Sequence, residues 1–231
     1  MMTDIQRFLH QQWLELKKDK YSMALLLVVL LIATGMGVQK GRVWYIARKE
    51  GAAQIDFADA YSEYQTALRA SLKNEDAGKR EQAFKDADVS LQSVQDMQGG
   101  SLYSIYAQAL QADVLVHEKQ YDKALDLLGK AIVRMGVSSP AYDLYKTKQA
   151  LLFFDAGQAS KGITLLEELV ADKNNKHADT AAFYLGSYYW SQKQFDKAKA
   201  AWKMLENLKH PKDPQKDSPW LQLVAAKLEQ L

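Results

Sequence analysis

Few residues in this sequence have the types and spacing that catalysis or metal binding requires. Its four histidines are His10, His117, His177 and His210. Each stands alone, outside any HExxH motif, and Gly99-Gly100 has no phosphate-loop pattern around it. Cysteine is absent, which excludes disulfides, thiol catalysis and cysteine-ligated zinc. The sequence therefore predicts a protein that is not an enzyme and has no cofactor or metal site.

The charges predict partners other than nucleic acid. The net charge of the 231 residues is +2. Residues 1–50 hold eight Lys/Arg against four Asp/Glu, so the remainder has two more acidic than basic side chains. A near-neutral remainder lacks the basic surface that nucleic-acid binding needs. The basic N-terminal segment is of the kind that anionic membrane lipid attracts.

The longest apolar segment runs from residue 21 to residue 39 and contains no charged side chain. Lys20 and Lys40 lie at its two ends, and its centre, 25–32, is entirely aliphatic. As a helix rising ~1.5 Å per residue it is roughly 28 Å long, close to the thickness of a bilayer's hydrocarbon core. We predict a single transmembrane helix over residues 21–39. Equal numbers of basic residues on both sides leave its direction open under the positive-inside rule.

The segments on either side of this predicted span have the features of a membrane interface. One helical face of the N-terminal segment 1–20 carries Ile5, Phe8, Leu9, Trp13 and Leu16. We expect this amphipathic segment to lie along the membrane surface, the alternative being a helix that binds a partner. A cleavable signal peptide is a second alternative, which an n-region of twenty residues with three acidic side chains disfavours. Residues 40–55 contain Trp44 and Tyr45 but no proline, which predicts a juxtamembrane helix or linker.

From residue 56 onward the sequence has helical periodicity and a unit that recurs. A turn position is followed by a small residue and, four residues after that, by a large one. The three copies are Tyr121-Ala124-Leu128, Ala159-Gly162-Leu166 and Phe195-Ala198-Trp202. Their turn positions are 38 and 36 residues apart. We expect each copy to be a pair of antiparallel helices that approach closely at the small residue and bury their apolar faces by stacking.

These repeats predict an all-α fold, an α-solenoid of helical hairpins over residues 56–231. The predicted repeats are 102–135, 141–171 and 178–208, followed by a loop over 210–217 and a capping helix over 219–231. The helical segments within 54–97 lack the small–large pattern, so we interpret them as a degenerate repeat or an N-terminal cap. The final copy resembles the tetratricopeptide repeat in Leu185-Gly186, Tyr189, Ala198 and Pro211.

In a stack of hairpins the first helices line a common groove. Projecting their inward positions gives a lining that is aromatic and aliphatic with few charges. The predicted groove residues are Tyr106, Asp113, His117, Leu144, Thr147, Leu151, Phe154, Thr180, Phe183, Tyr184, Ser187 and Trp190. This composition favours an extended or helical apolar peptide held by aromatic anchors. The alternative for each residue is a place in the core between hairpins.

The order of the parts resembles the YfgM-type ancillary subunits of the bacterial SecYEG translocon. The resemblance is carried by the segments 5–9 (IQRFL), 21–39, 43–45 (VWY), 57–68 (FADAYSEYQTAL) and 100–125. It implies a single-pass protein of the bacterial inner membrane with a cytoplasmic N-terminus and a periplasmic repeat domain. It also implies association with the translocon and with a membrane-anchored periplasmic chaperone of the prolyl-isomerase type.

Two functional hypotheses follow. In the first, the chain is a membrane-anchored interaction module, an ancillary translocon subunit or chaperone cofactor for secreted and envelope proteins, whose groove binds unfolded client chains or the partner chaperone. In the second, it is a structural scaffold of a cell-envelope complex, and one dedicated partner fills the same surface permanently. Both require protein partners and membrane lipid, and neither requires catalysis.

Overall fold

The computed structural model describes residues 20–73, 76–207 and 218–229, and the side chains within 39–73, 76–205 and 218–229. In these ranges the regular secondary structure is entirely α-helical. The helices are α1 (Lys20–Leu72), α2 (Ala77–Met97), α3 (Leu102–His117), α4 (Tyr121–Met135), α5 (Tyr142–Asp155), α6 (Ala159–Ala171), α7 (Ala178–Ser191), α8 (Phe195–Asn207) and α9 (Trp220–Leu228). The chain divides into two units, Met1–Ala52 and Ala53–Leu231.

Among the described residues, none of the helices has a stretch long and apolar enough to span a bilayer. The predicted span 21–39 falls almost wholly on positions whose side chains lie outside the described residues. The predicted amphipathic segment 1–20 lies outside them except for the backbone of its last residue, and the predicted loop 210–217 lies outside them completely. In the first unit the side chains of Val43, Trp44, Tyr45 and Ile46 are exposed.

The second unit consists of helical hairpins stacked in chain order. Helices α3 and α4, α5 and α6, and α7 and α8 pack as pairs, and each pair contacts the next. The last part of α1 and α2 form a further hairpin, since Ala60 and Tyr64 share a buried cluster with Phe84 and Leu91. Helix α9 packs on α7 and α8 and closes that end of the described stack. The expected solenoid of hairpins is therefore confirmed.

The small–large pattern has the packing role that the sequence predicts. Ala124, Gly162 and Ala198 are buried, and so are Leu128, Leu166 and Trp202 four residues later. A Cβ atom at Gly162 would lie 2.8 Å from the carbonyl oxygen of Ala150 on the paired helix. A contact that short is far inside van der Waals distance, so the approach of α5 and α6 depends on the missing side chain.

The first hairpin carries the same pattern, contrary to the interpretation of 54–97 as lacking it. Phe84, Ala87 and Leu91 of α2 have the spacing of Tyr121, Ala124 and Leu128, and Phe84 precedes Tyr121 by 37 residues. All three are buried in the cluster between α1, α2 and α3. The match is hidden in the sequence because α2 begins seven residues before Phe84, whereas α4 begins at Tyr121 itself.

The turns within three hairpins share one backbone geometry. Lys119, Gly157 and Lys193 each adopt a positive φ, of 60°, 72° and 59°. The next residue is a glutamine in every case, and its N–H donates to the carbonyl five residues earlier at 2.8–2.9 Å. This is the Schellman closure of a helix C-terminus, which satisfies carbonyls that the helix leaves unpaired. Lysine at two of these left-handed positions is the reason that glycine spacing alone does not reveal the repeat.

Candidate binding face

A continuous row of aromatic rings crosses the first helices of three consecutive hairpins. Phe57 and Tyr61 of α1 have ring centroids 5.9 Å apart, Phe57 lies 6.2 Å from Tyr106 of α3, and Tyr106 lies 6.1 Å from Tyr145 of α5. We call these four residues the aromatic row. Tyr61 is 41% exposed and the other three rings are partly buried. The row is therefore partly accessible to solvent, is packed against the helices beneath it, and spans three repeats.

Helical spacing explains why the rings meet. Phe57, Tyr61 and Tyr64 occur at i, i+4 and i+7, which places them on one face of α1. Tyr103 and Tyr106 are three residues apart on α3, and both rings contact Phe57, at 5.6 Å and 6.2 Å between centroids. Ring centroids at 4.5–7 Å with tilted or offset planes are the favourable geometry for aromatic pairs. The contacts thus hold α1, α3 and α5 in register as well as forming a surface.

The charge next to the aromatic row is neutralised within the protein. The Tyr64 hydroxyl donates to Asp113 Oδ2 at 3.1 Å, and Lys148 of α5 forms an ion pair with the same oxygen. The Lys148 ammonium also lies 5.6 Å from the centroid of the Tyr145 ring. Asp113 is only 16% exposed at its side chain, so it is paired rather than solvated. The face consequently offers rings and hydroxyls to a ligand, and little net charge.

Two tyrosines of this face, Tyr145 and Tyr64, have a raised pKa and stay neutral over a wide pH range. Burial, with the nearby Asp113 carboxylate and the Tyr106 and Tyr61 side chains adding to it, raises the pKa of Tyr145 to about 12. Burial likewise raises the pKa of Tyr64, and Asp113 reinforces the effect. Each phenol therefore keeps its proton at physiological pH. The hydroxyls of Tyr106 and Tyr145 donate no hydrogen bond to any other described residue.

Two predicted groove residues of α3 lie on this face and the third does not. Tyr106 belongs to the aromatic row and Asp113 lies beside it. The imidazole of His117 instead stacks on Phe84 of α2, with 4.2 Å between ring centroids, and borders a cavity of about 480 Å³ with Arg80 and Glu118. Burial lowers the pKa of His117, partly opposed by Asp113. His117 is thus directed to the cavity between helices, away from the row.

The predicted residues of α5 differ in how accessible they are. Thr147 is only 2% exposed, and its hydroxyl donates to the Asp143 carbonyl oxygen at 2.9 Å. Leu144 is 48% exposed, and Leu151 is partly buried. Phe154 stacks on Tyr188 of α7, with 4.4 Å between ring centroids. Thr147 and Phe154 therefore serve helix packing, while Leu144 is open to a ligand.

The predicted residues of α7 lie mostly against the last helix. The Trp220 ring of α9 stacks on Phe183 with centroids 4.2 Å apart, lies 5.9 Å from Tyr184, and donates from Nε1 to Thr180 Oγ1 at 3.1 Å. The Lys227 ammonium of α9 lies 5.5 Å from the Trp190 ring centroid. The Ser187 hydroxyl is buried and has no hydrogen-bond partner among the described residues. Helix α9 thus occupies the position that a ligand of this hairpin would need.

The opposite side of α3 is polar but internally satisfied. Gln111 Nε2 donates to Asp88 Oδ1 at 2.8 Å, and Arg134 donates to Ser104 Oγ at 2.9 Å and to the Gly99 carbonyl oxygen at 3.0 Å. Ser104 and Gln111 are buried. The polar side chains of this seam bond to one another and join α2, α3 and α4, so the seam serves packing. The described residues also contain no cluster of His, Asp and Glu that could hold a metal ion.

Phe57, Tyr61 and Tyr145 are the residues of the face that sequence reasoning missed. The groove is projected only from the three hairpins in which the small–large pattern is recognised, and the hairpin containing Phe57 and Tyr61 is interpreted as degenerate or a cap. The signal that identifies Phe57 and Tyr61 is the spacing FxxxYxxY at residues 57–64, which aligns three rings on one helical face. Ligand binding by this face stays a prediction, as it does for the twelve groove residues.

Comparison with known proteins assigns this chain to no family. No family model matches the chain, and no curated protein is similar to it. Among solved structures, the chain is similar to a crystal structure of nearly identical TPR-like repeats, a variant of a putative kinesin light chain from Podosopora anserina. The sequences are 16% identical, the match covers 75% of this chain and 93% of that one, and the TM-score is 0.49. At those values the likeness carries no argument, and the solenoid of hairpins rests on this chain's own helices.

Proposed function

We propose that the chain is a membrane-anchored protein-interaction module that binds peptide segments of its partners along the aromatic row. The observation that supports binding is the row itself, a partly exposed run of rings across three hairpins whose neighbouring charge is already paired. Aromatic side chains on a rigid support are the commonest anchors of protein interfaces. The helices that carry them are locked by Asp113, Tyr64 and Lys148, so binding would cost little ordering of the face.

The anchor is the second part of the proposal. It is supported by the uncharged segment 21–39 and by the residues that follow it, where exposed Trp44 and Tyr45 are flanked by Arg42 and Arg48. Aromatic and basic side chains together are typical of a lipid–water boundary. The Arg48 guanidinium carbon lies 5.4 Å from the Trp44 ring centroid, which keeps an apolar ring and a cation within one short stretch. The resemblance to translocon ancillary subunits supports an inner-membrane location with the repeats in the periplasm.

Within that setting we propose the role of an ancillary translocon subunit or chaperone cofactor for secreted and envelope proteins. The aromatic row would contact either client chains as they leave the membrane or the membrane-anchored partner chaperone. The competing role is a scaffold with one dedicated partner, which would use the same face. The two roles differ in the number of partners that reach the face, and they share the absence of any catalytic step.

Site-specific photocrosslinking in living cells tests both levels of the proposal. A photoreactive amino acid replaces Tyr61, whose ring is exposed on the face. The matched control carries it at Val133, which is exposed on α4 and outside the aromatic row. We expect adducts from residue 61 and few from residue 133. Many secreted chains among the adducts would support the cofactor role, and a single band would support the scaffold. An equal yield from the two positions would contradict a binding function of the row.

The proposed orientation has its own test. A reporter enzyme that is active only in the periplasm is fused after Leu231, and a reporter active only in the cytoplasm is fused at the same position in a second strain. We expect activity from the periplasmic reporter alone. Activity from the cytoplasmic reporter would contradict both envelope roles and would leave a membrane-tethered adaptor that works in the cytoplasm.

A further inference from the structure

The cavity at the turn end of the first hairpin is a second site, separate from the aromatic row, and we propose that it binds a peptide carboxylate through Arg80. Among the described residues, the cavity is formed by the end of α1, the first two turns of α2 and the end of α3, and its volume is about 480 Å³. That size is within the range of pockets that bind small ligands. Failure of this site to bind would leave the function proposed for the aromatic row unaffected.

The cavity is special to this hairpin because α2 is longer than the other second helices. α2 begins seven residues before Phe84, whereas α4 begins at Tyr121, the equivalent position. The extra turns carry Arg80, which precedes Phe84 by four residues and so continues the helical face on which Phe84, Ala87 and Leu91 are buried. The helices α4, α6 and α8 begin at the turn position itself, so they contain no residue equivalent to Arg80.

The Arg80 side chain is a cation without a counterion in the described part of the chain. Its Nε atom is buried and has no hydrogen-bond partner, and its guanidinium forms no ion pair with another described residue. Leaving a buried donor unsatisfied is unfavourable, and more so when the group is charged. A ligand that brings a negatively charged acceptor to this nitrogen removes that penalty when it binds.

The acidic side chains of the lining already have partners of their own. Glu81 forms an ion pair with Lys85 at 2.7 Å, and Glu118 accepts a hydrogen bond from Gln120 at 2.6 Å. Both carboxylates border the cavity, where they disfavour a ligand with two or more negative charges because like charges repel. A singly charged carboxylate therefore suits the cavity better than a phosphate does.

The remaining lining fits a carboxylate that is attached to a peptide. The arginine fork presents parallel N–H donors that match the two oxygens of a carboxylate. The Ser71 hydroxyl makes no hydrogen bond to another described residue and is a further donor. The rings of Phe84 and His117, stacked with centroids 4.2 Å apart, provide contact for the atoms next to the carboxylate. Burial lowers the pKa of His117, so at neutral pH this ring is uncharged and the guanidinium of Arg80 is left to bind the anion.

Nuclear magnetic resonance of the 231-residue chain, isotope-labelled at arginine and kept in one uncharged detergent, tests this site. The signal that disappears in Arg80→Lys identifies the Nε–H group of Arg80. The probes are acetyl-trialanine with a free C-terminal carboxylate, its C-terminal amide, an amidated tripeptide with glutamate in the middle, and inorganic phosphate, all at one ionic strength. We expect the Arg80 signal to shift with the two carboxylate peptides, because the buried N–H gains an acceptor, and to stay unchanged with the trialanine amide.

Variants of the cavity are compared through the ring signal of His117, which a neighbouring ligand also perturbs. Arg80→Gln removes the charge and the fork, so we expect it to weaken binding of the carboxylate peptides about tenfold or more. Arg80→Lys keeps the charge without the fork and should lie between the two. Arg69→Gln is the matched control, because Arg69 is exposed on α1, bonds to Gln65 and lies outside the cavity lining. The control should bind the peptides as the unchanged chain does.

Each outcome supports or overturns the proposed site. A response to both carboxylate peptides supports it, and a response to one of them supports it and shows whether the carboxylate comes from a C-terminus or from a side chain. No response to either, an equal response to the amide, or tighter binding of phosphate overturns it. Equal weakening by Arg69→Gln and Arg80→Gln also overturns it, since general charge attraction would then explain the binding. Circular dichroism shows whether the helices of each variant are intact, and crosslinks from residue 61 test the aromatic row separately.

Discussion

The two ends of the hairpin stack use the same kind of side chain for opposite purposes. At the N-terminal end, Phe57, Tyr61, Tyr106 and Tyr145 form a row that is supported from beneath and partly open on its outer side. At the C-terminal end, Phe183 and Tyr184 lie under the Trp220 ring of α9. Aromatic composition is therefore a poor guide to a binding face, because only the position of the next helix decides whether the rings are covered.

The C-terminal end, where α9 covers the rings, also indicates what a ligand of the open N-terminal row must supply. Trp220 offers a flat ring to Phe183 and a hydrogen-bond donor to Thr180. The chain thus provides its own example of how rings on a first helix are satisfied, by another flat apolar group that carries one polar contact. The aromatic row lacks an equivalent partner among the described residues. The predictions below test two statements. The C-terminal end is held by close packing around Trp202 and Trp220, and the N-terminal face is held by the polar link, the contacts of Asp113 with Tyr64 and Lys148.

Gly186→Ala is expected to have the largest effect, on the covered end. A Cβ atom there would lie 2.2 Å from Trp202 Nε1, and Trp202 is fully buried and donates from that nitrogen to the Phe183 carbonyl oxygen at 3.1 Å. The ring cannot move without losing packing and the hydrogen bond, so we expect a loss of about 3 kcal/mol in the free energy of unfolding. Urea denaturation followed by circular dichroism measures it.

Gly129→Ala is the matched control, because its Cβ atom would lie 3.4 Å from Gln149 Nε2, at the limit of ordinary contact with the end of a flexible side chain. Alanine favours a helix interior over glycine by up to about 1 kcal/mol, so this variant should be as stable as the unchanged chain or more so. Equal destabilisation by the two substitutions would contradict the tight approach of α7 and α8.

Much of this packing could be predicted from the sequence, and the location of the open face could not. Ala124 with Leu128 and Ala198 with Trp202 identify the hairpins because helix contact demands a small residue beside a large one at fixed spacing. The small–large pattern of Phe84 and Leu91 is not recognised, because α2 has two extra turns before Phe84 and the pattern does not begin at the start of the helix. Accessibility depends on contacts between distant parts of the chain, such as Trp220 with Phe183, and no local pattern reports these.

Trp220→Ala should have the next largest effect and should be confined to the covered end. It removes the stacking on Phe183 and the hydrogen bond to Thr180, so we expect about 2 kcal/mol, less than the ~3–5 kcal/mol typical of a fully buried ring. Hydrogen exchange should accelerate in α9 and α7 and stay unchanged in α3. Leu223→Ala is the control on the same helix, since Leu223 is 52% exposed and should cost less than about 0.5 kcal/mol. Uniform acceleration along the chain would show that the two ends are not separable.

Asp113→Asn weakens the polar link of the open face by a smaller amount. The substitution removes the charge that Lys148 pairs with and the best acceptor for the Tyr64 hydroxyl, so we expect a loss of about 1–2 kcal/mol in unfolding free energy. Asp126→Asn is the matched control, because Asp126 and Lys130 form an exposed pair one helical turn apart and should contribute less than about 0.5 kcal/mol. Thermal unfolding of both variants measures the difference, and similar losses would mean that the Asp113 link is no stronger than a surface ion pair.

The last predicted effect is absent at neutral pH, appears only at alkaline pH, and concerns Tyr145, beside the Asp113–Lys148 pair. The pKa of Tyr145 is raised to about 12 in the folded chain, above the ~10 of an unfolded tyrosine. The folded state therefore binds the proton more tightly, and the stability this provides is complete below pH ~10 and is lost as the pH rises through about 12.

Subtracting the ultraviolet titration of Tyr145→Phe from that of the unchanged chain isolates the ionisation of Tyr145. Burial is the largest cause of the shift and Asp113 the next, so in Asp113→Asn the residue should ionise at a lower pH that still lies above ~10. Ionisation of Tyr145 at the ordinary pH in the unchanged chain would mean that the ring is solvated and that the row is more open than its contacts indicate.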